Sequence, residues 1–231
     1  MRIEALRQLA SIAAPPRCGG CGQSAGARAA LCTTCSEELR RAAPLIDSGP
    51  AGIDVSVAAA DYSGRARRVA HGLKFGHRLA LAAVAAEAVL AACPPRMLRG
   101  GLVPVPAAPL RWRWRGFDPA EEIALALAAR TGLPFAPCLR RRGGPRQVGR
   151  PRSLRVCDPP RVWVQDEAPG EVLLVDDVRT TGSTLCACAA ALREAGSTRV
   201  VALTFARTRP LPGAGGERRI VSQHPTEGGR P

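Results

Sequence analysis

Aromatic residues make up only 3% of this 231-residue chain, and lysine occurs once, as Lys74. With so few aromatic rings, the core must be built mainly from leucine, valine and alanine. Arginine supplies all the other basic side-chain charge apart from histidine, which indicates a general bias toward arginine over lysine. The arginine content by itself is therefore weak evidence of function.

The chain also lacks a long uninterrupted apolar segment. Polar residues interrupt positions 1–14, so no secretory signal is expected. The longest apolar stretch, residues 79–93, contains Glu87 and is too short to cross a bilayer. We therefore expect a soluble cytoplasmic protein without a membrane partner, in which residues 79–93 form an alanine- and leucine-rich core helix.

The remaining composition is that of a basic globular protein. Hydrophobic residues account for 46% of the chain, and the formal net charge is +14. The length allows one α/β domain and a small satellite. A strong positive field attracts polyanions, which include nucleic acids, membrane surfaces and phosphorylated small molecules. Charge alone does not separate these classes.

Proline, glycine and charge patterns divide the chain into five segments. Residues 1–16 form an amphipathic lead that ends in two prolines, and residues 17–43 carry two cysteine pairs. A Pro/Gly-containing linker over residues 44–53 precedes the main domain at residues 54–208. Residues 209–231 have the composition of a disordered tail.

Strand and helix patterns alternate along the main domain. Asp118 as N-cap, Pro119 in the first position and Gly132 after the end delimit one helix. The alternation predicts βαβ units and an α/β fold with a mainly parallel sheet. Strands are predicted at residues 55–62, 101–105, 134–139, 172–175 and 199–205, and helices at 64–93 (as one or two), 119–131 and 181–195.

Four of the nine cysteines form two Cys-x-x-Cys pairs, Cys18 with Cys21 and Cys32 with Cys35. This spacing is typical of zinc knuckles, and two thiolate pairs complete a tetrahedral structural Zn²⁺ site. The segment has almost no apolar core, so the metal is expected to supply its folding energy. An odd cysteine total without a signal peptide argues against disulfides. The other cysteines, at 93, 138, 157, 186 and 188, are interpreted as buried small hydrophobes.

The most specific pattern is an aliphatic strand that ends in Asp176 and Asp177 and runs into a polar loop and a helix. Free backbone N–H groups at a helix N-terminus suit a phosphate, and Gly182 allows a close backbone approach. The two acids can accept hydrogen bonds from vicinal hydroxyls such as those of ribose. The segment therefore predicts a site for a ribose 5-phosphate, with hydroxyl donors from Thr180, Thr181, Ser183 and Thr184.

This segment resembles the phosphoribosyl pyrophosphate motif of type I phosphoribosyltransferases. Most of the chain is similar to one branch of them, the ComF family of competence-associated proteins with an N-terminal zinc ribbon. The resemblance implies a type I phosphoribosyltransferase fold and Mg²⁺-dependent transfer of a phosphoribosyl group to an unidentified nitrogen acceptor, with a link to DNA uptake. The further matches are residues 16–21 (PRCGGC), 73–76 (LKFG), 103–106 (VPVP), 115–117 (RGF), 146–147 (RQ) and the final strand to Arg207.

The resemblance also implies roles for individual residues. Asp176 and Asp177 would be the catalytic pair that holds the ribose hydroxyls. The 5-phosphate would lie against Thr180, Thr181, Gly182, Ser183 and Thr184, and the pyrophosphate against Lys74, Ala107, Ala108, Arg115 and Arg146. One position departs from the family pattern, because Asp118 stands where Asn usually follows Arg-Gly-Phe. An added negative charge there would weaken pyrophosphate binding.

Two arginine-rich segments have more than one interpretation. Residues 140–155 hold seven arginines among glycines and prolines. The resemblance implies a mobile loop that closes over the site and stabilises departing pyrophosphate, and a solvated basic loop is the alternative. Residues 111–115 alternate arginine with Trp112 and Trp114. That pattern suits base stacking on single-stranded nucleic acid or a phosphate-binding loop with packed tryptophans.

Three functions are consistent with these patterns. The first is an active phosphoribosyltransferase that uses Mg²⁺ and phosphoribosyl pyrophosphate. The second is a module that senses a phosphoribosyl ligand without turnover, with proteins of the competence machinery as partners. The third is a protein that binds single-stranded DNA or RNA through the cysteine segment and the basic surface, and it predicts salt-dependent binding.

Overall fold

The computed structural model describes residues 17–26, 29–76, 78–142 and 160–209. They form a mixed α/β structure in which helices flank a mostly parallel sheet. The N-terminal lead, Arg146 with most of the basic segment, and residues 210–231 of the expected tail lie outside the described residues.

The sheet brings four parallel strands together. Its order is β1-β2-β7-β6-β3, in which β1 pairs antiparallel with β2 and the remaining neighbours pair in parallel. β4 and β5 form a separate antiparallel pair. The carboxyl ends of β3 and β6 therefore meet at one edge of the sheet, where open α/β sheets bind ligands. The strands are β1 (Leu45–Asp47), β2 (Val55–Asp61), β3 (Gly101–Pro104), β4 (Leu139–Arg141), β5 (Val162–Val164), β6 (Glu171–Arg179) and β7 (Arg199–Arg207).

Helices cover both faces of the sheet. α2, α3 and α5 pack on one face, and α6 packs on the other together with β4 and β5. No helix in the described ranges has the length and the apolar character that a membrane crossing requires. The helices are α1 (Thr33–Arg40), α2 (Gly64–Phe75), α3 (Ala80–Ala92), α4 (Pro109–Arg115), α5 (Pro119–Thr131) and α6 (Ser183–Glu194).

The alternation of side chains along β6 divides the core into two layers. Leu173 and Val175 face the first helical layer, whereas Val172 and Leu174 face α6. All four side chains are buried, because a central parallel strand is covered on both faces. The core is built mainly from leucine, valine and alanine, as the composition predicts, with Phe205 as its largest fully buried side chain.

Several local predictions are confirmed. The 64–93 region forms two helices, α2 and α3. α5 begins after Asp118, whose side chain accepts a hydrogen bond from the Ala120 N–H at 3.0 Å, and it ends at Gly132 with φ +71°. The described cysteines are free thiols, and Cys93, Cys138 and Cys188 are buried. Cys186 is half-buried, and Cys157 lies outside the described residues.

Two segments differ from the prediction. Residues 134–139 do not form a strand; Phe135 makes one isolated bridge to Leu102, and β4 begins at Leu139. Pro134 and Pro137 explain the difference, because proline supplies no N–H to a ladder. The expected linker at 44–53 contains β1, which adds an antiparallel edge strand to the sheet.

Candidate functional site

Asp176 and Asp177 lie near the carboxyl end of β6, which continues to Arg179 instead of ending at the two acids as predicted, because Val178 and Arg179 still pair with β7. Asp177 is buried, and its carboxylate lies 3.0 Å from the Lys74 ammonium of α2. Asp176 is half-buried, and its side chain accepts the Asp177 N–H at 2.8 Å. Burial and the adjacent Asp177 charge raise the pKa of Asp176 well above its usual range, although Lys74 opposes the shift. The pair therefore combines one ion-paired carboxylate with one that holds its proton readily.

The turn after β6 leads directly into the N-terminus of α6. Gly182 is the N-cap, with φ +80°, and a Cβ built there would lie 3.3 Å from Pro50. The Thr181 hydroxyl lies 3.2 Å from the Ser183 hydroxyl. Thr180, Thr181 and Ser183 are exposed, and Thr184 is half-buried. Exposed hydroxyls beside the free N–H groups of a first helical turn form a suitable environment for an anion.

The ends of β6 and β7 are held by a buried ion cluster that the sequence analysis did not predict. Asp47, the last residue of β1, accepts hydrogen bonds from Arg179 at 2.6 and 3.2 Å and from Arg207. Both arginines are buried. Asp47 lies in the segment interpreted as a linker, so no sequence signal marked it. The cluster fixes the strand end that immediately precedes the Thr180 turn.

The loop between β3 and α4 carries Ala107 and Ala108 beside this strand end. The Ala107 N–H donates to the Asp118 carboxylate at 2.6 Å, and Ala108 is the N-cap of α4. Asp118 is buried and its second oxygen caps α5. Burial raises the pKa of Asp118 to about 6 although both backbone N–H groups act to lower it, and the Asp177 and Glu121 charges add to the rise. Asp118 thus anchors the loop expected to meet pyrophosphate.

Arginines from two elements add positive charge near these acids. Arg115 stacks over the Phe75 ring at 4.7 Å, and its buried Nε has no hydrogen-bond partner within the part of the chain that the structure describes. The Nε of Arg141, in β4, is also buried and has no hydrogen-bond partner among the described residues. Burial and the nearby Arg111 charge lower the pKa of both guanidinium groups, and Asp118 opposes the shift in each. Arg141 was not singled out from the sequence because it stands among seven arginines, and Arg146 lies outside the described residues.

Helix α4 exposes the aromatic residues of the Arg/Trp segment. Trp112 and Trp114 have exposed fractions of 53% and 77%, and Leu110 is also exposed. Arg111 and Arg113 are exposed beside them. The tryptophans therefore do not pack down into the protein, contrary to the interpretation of a loop with packed tryptophans.

The four paired cysteines come together as a candidate metal centre. The sulfur atoms of Cys18, Cys21, Cys32 and Cys35 all lie within 4.8 Å of one another, and the Cys21 and Cys32 sulfurs are 3.8 Å apart. Tetrahedral Zn²⁺ with Zn–S bonds of about 2.3 Å requires sulfur separations of about 3.8 Å. Burial acts to raise the pKa of Cys18, but N–H donors led by that of Cys32 lower it to about 6. The four thiols are close enough to bind a metal such as zinc.

The cysteine segment contacts the helix that carries Lys74. Arg68 of α2 donates to the Gly20 carbonyl at 3.2 Å, and Arg65 of α2 pairs with Glu38 of α1. Gly19 lies against Leu81 of α3 so closely that an added Cβ would come within 2.6 Å of that side chain. The metal centre and the acidic strand end therefore contact the same helix at different residues.

The site joins three groups with complementary chemistry: an acidic strand end, a helix N-terminus suited to an anion, and arginines that have no hydrogen-bonded counterion in the described ranges. No protein-family model matches this chain, and no curated protein matches it. The assignment of a function therefore rests on the residues of this site and on the sequence resemblance.

Proposed function

We propose that this chain binds Mg²⁺-phosphoribosyl pyrophosphate and transfers the phosphoribosyl group to a nitrogen acceptor, with release of pyrophosphate. The observation that carries the proposal is the order of groups along β6 and α6. Asp176 and Asp177 are followed within a few residues by the Gly182 turn and a helix N-terminus. The mostly parallel sheet supports the type I phosphoribosyltransferase fold, and the sequence resemblance supports the ComF branch.

The two ends of the ribose 5-phosphate have separate partners in this proposal. The phosphate accepts hydrogen bonds from the first turn of α6 and from the hydroxyls of the 180–184 loop. The ribose 2- and 3-hydroxyls donate to Asp176 and Asp177. Lys74 lies 3.0 Å from the Asp177 carboxylate and holds that side chain in place as an acceptor.

The proposed reaction is a substitution at the anomeric carbon. The bond from C1 to the pyrophosphate oxygen breaks, and its electron pair leaves with pyrophosphate. The nitrogen lone pair of the acceptor forms the new bond to C1, and the nitrogen loses a proton to solvent. Arg115 and the arginine-rich segment stabilise the charge that develops on the leaving group.

Mg²⁺ is implied by the resemblance, and the carboxylates near the site suit it only indirectly. Asp177 is already paired with Lys74, and Asp176 accepts a backbone hydrogen bond. The ligand's own pyrophosphate and ribose oxygens would therefore hold the ion, with the two acids acting through hydroxyls or water. When bound, Mg²⁺ would neutralise charge on the leaving pyrophosphate.

The cysteine segment serves in this proposal as a structural zinc ribbon. Four thiolates fill a tetrahedral zinc shell and leave no open position for substrate. The ribbon supports α2 through the contacts of Arg65 and Arg68. Its metal therefore stabilises the protein rather than taking part in the transfer.

Pyrophosphate release in the presence of a panel of nitrogen acceptors tests the transferase proposal. We expect release with at least one acceptor, dependent on Mg²⁺ and abolished by Asp177→Asn. Saturable ligand binding without release for any acceptor would instead identify the sensing module. Absence of both binding and release would contradict both proposals.

A second function, binding of single-stranded nucleic acid, is favoured by the exposed tryptophans of α4. Trp112 and Trp114 stand between exposed arginines, which combines stacking surfaces with positive charge. Replacement of both tryptophans by alanine should weaken oligonucleotide binding by about 10-fold or more. Trp163→Ala is the matched control, because that side chain is also exposed but lies on β5. Equal oligonucleotide binding by the wild type and all variants would mean that the tryptophans do not contribute and that binding comes from nonspecific electrostatic attraction.

A further inference from the structure

The charges of Arg115 and Arg141 both interact with Asp118, and the charge of Arg111 interacts with both of these arginines. Among the described residues, none of the three has a hydrogen-bonded carboxylate partner. Arg111 and Arg115 come from α4, and Arg141 comes from β4. The Nε atoms of Arg115 and Arg141 are both buried and lack a hydrogen-bond partner. Like charges repel, and buried donors without acceptors are costly. The cluster therefore has the properties of a binding site for a multiply charged anion.

Asp118 is the acid that this anion would meet. Its two oxygens accept the N–H groups of Ala107 at 2.6 Å and Ala120 at 3.0 Å. It therefore fixes both the loop after β3 and the start of α5. A carboxylate at this position anchors the loop and at the same time repels an anion bound against the arginines.

Charged groups from all the neighbouring elements act on Asp118. Asp177 of β6 and Glu121 of α5 disfavour its ionised form, as does burial, so that its pKa rises to about 6. Arg115 of α4 and Arg141 of β4 favour the ionised form, and Asp176 of β6 interacts with it as well. A bound polyanion would add negative charge to this balance and would favour protonation further.

Protonation removes the conflict between anchoring and anion binding. A protonated carboxyl keeps lone pairs for the Ala107 and Ala120 N–H groups and gains an O–H donor. That donor can hydrogen-bond to a phosphate oxygen. An asparagine side chain offers an acceptor and a donor in similar positions at every pH.

We propose that a diphosphate group binds beside Asp118, between Arg115 and Arg141, and that Asp118 takes up one proton when this group binds. The inference rests on the proposed function, because it identifies this diphosphate with the pyrophosphate part of the ligand. Asp118 is then a positioning residue for the Ala107 loop and a pH-dependent determinant of affinity. Arg141 is a further anion-binding residue of the site.

The expected pH dependence has a definite sign. Near pH 6 about half of the unliganded protein already carries the proton. Each pH unit above the pKa makes proton uptake about tenfold less favourable. Between pH 6 and pH 8 the protonated fraction falls from about one half to about one hundredth, so the wild type should lose about 50-fold more affinity than Asp118→Asn, which needs no proton.

Calorimetric titration of inorganic pyrophosphate at pH 6 and pH 8 tests the proposal. The ionisation of pyrophosphate itself affects both proteins equally. The difference between wild type and Asp118→Asn in how affinity changes with pH therefore reports the contribution of Asp118. At pH 8 the wild type should take up a proton from the buffer when it binds. Its binding heat should therefore depend on the ionisation enthalpy of the buffer more strongly than the binding heat of the variant does. If Asp118→Asn fails to fold, the proton uptake of the wild type, corrected for the ligand's known ionisation, gives the same test.

The arginines are tested with a matched pair in one strand. Arg141→Gln should weaken pyrophosphate binding at least 10-fold at pH 6, whereas the neighbouring Arg140→Gln, whose side chain bonds to the Pro137 and Leu139 carbonyls, should change it less than threefold. Identical pH dependence in wild type and Asp118→Asn, or equal effects of the two arginine variants, overturns the inference.

A second ligand distinguishes this failure from failure of the proposed function. Ribose 5-phosphate lacks the diphosphate and needs only the 180–184 loop and the two acids. The inference fails and the proposed function stands if ribose 5-phosphate binds while pyrophosphate does not. The same holds if both ligands bind but pyrophosphate binding has the same pH dependence in wild type and Asp118→Asn. If neither ligand binds, both fail.

Discussion

The four-cysteine segment and the strand–turn–helix segment at residues 171–185 are held in place by different means. Residues 172–175 are buried on both faces of a central strand, between β3 and β7. In the cysteine segment, by contrast, four sulfur atoms converge, and Leu31 and Leu39 add a small number of contacts to the main core, more than the composition predicts. The sheet thus fixes the acidic strand end, whereas the cysteine segment combines a cluster able to bind a metal with a few contacts to the core. α2 contacts both regions, through Arg68 to Gly20 and through Lys74 to Asp177.

Removal of one thiol should break the ribbon and spare the sheet. A structural zinc supplies on the order of 10 kcal/mol to the folding of small metal-dependent segments. Cys32→Ser should therefore lose bound metal and make residues 17–43 sensitive to protease, while the rest of the chain keeps its far-UV circular dichroism. Native mass spectrometry and limited proteolysis measure the two effects. Cys186→Ser is the control and should keep its metal; metal retention by Cys32→Ser would contradict the ribbon.

Lys74→Met should destabilise the strand–turn–helix segment at residues 171–185. The substitution leaves the buried Asp177 carboxylate without its ion-pair partner. Loss of one partner of a buried pair costs about 3 to 5 kcal/mol, and because the Lys74 side chain is partly exposed we expect the lower end of that range, measured by urea denaturation. The double variant Lys74→Met/Asp177→Asn should recover part of this loss, because the unpaired charge is then absent. No recovery would mean that Lys74 contributes through packing alone.

The raised pKa of Asp118 predicts a stability that depends on pH. The folded-state pKa of about 6 exceeds the ordinary value of 3.8, so the folded protein binds more protons between these values. The free energy of unfolding should therefore fall as pH rises from about 4 to about 6 and level off above. A difference of about two pKa units between the folded and unfolded states corresponds to a change of about 3 kcal/mol in the free energy of unfolding. Urea denaturation across this range should give a steeper slope for the wild type than for Asp118→Asn, which keeps the contribution of Asp176, whose pKa is also raised.

The smallest effect is expected at the turn before α6. Gly182 has φ +80°, and an added Cβ would lie 3.3 Å from Pro50. Gly182→Ala should cost about 1 to 2 kcal/mol of stability because of the left-handed backbone. It should also weaken ribose 5-phosphate binding, since a backbone that relaxes away from the left-handed conformation moves the N–H groups of the first turn of α6. Gly196→Ala is the control, because that glycine also has a positive φ and lies after α6, away from the loop.

The sequence predicted the parts of the fold that depend on local patterns. α5 has a complete set of signals in Asp118, Pro119 and Gly132, and its predicted bounds match those of the structure. The aliphatic run before Asp176 predicted the core of β6. The spacing of the cysteine pairs predicted their cluster. Each of these signals lies within a few residues of the feature that it specifies.

The remaining features depend on contacts between distant residues. β1 is only Leu45–Asp47, and its pairing with β2 is determined by the sheet rather than by its own pattern. Asp47 pairs with Arg179, 132 residues away. The Ala107–Asp118 hydrogen bond and the burial of Arg141 likewise follow from packing of separate elements. No local signal in the sequence distinguishes these residues from others of the same type.

Titration of Mg²⁺-phosphoribosyl pyrophosphate into the wild type and into Asp176→Asn/Asp177→Asn tests the central claim most directly. We predict saturable binding to the wild type and about 100-fold weaker binding to the variant, since both carboxyl groups that accept ribose hydroxyls become amides. Thermal melting of both proteins verifies that the variant is folded. Absence of binding to the wild type, or equal affinity in a folded variant, would contradict the assignment of this strand end as a phosphoribosyl site.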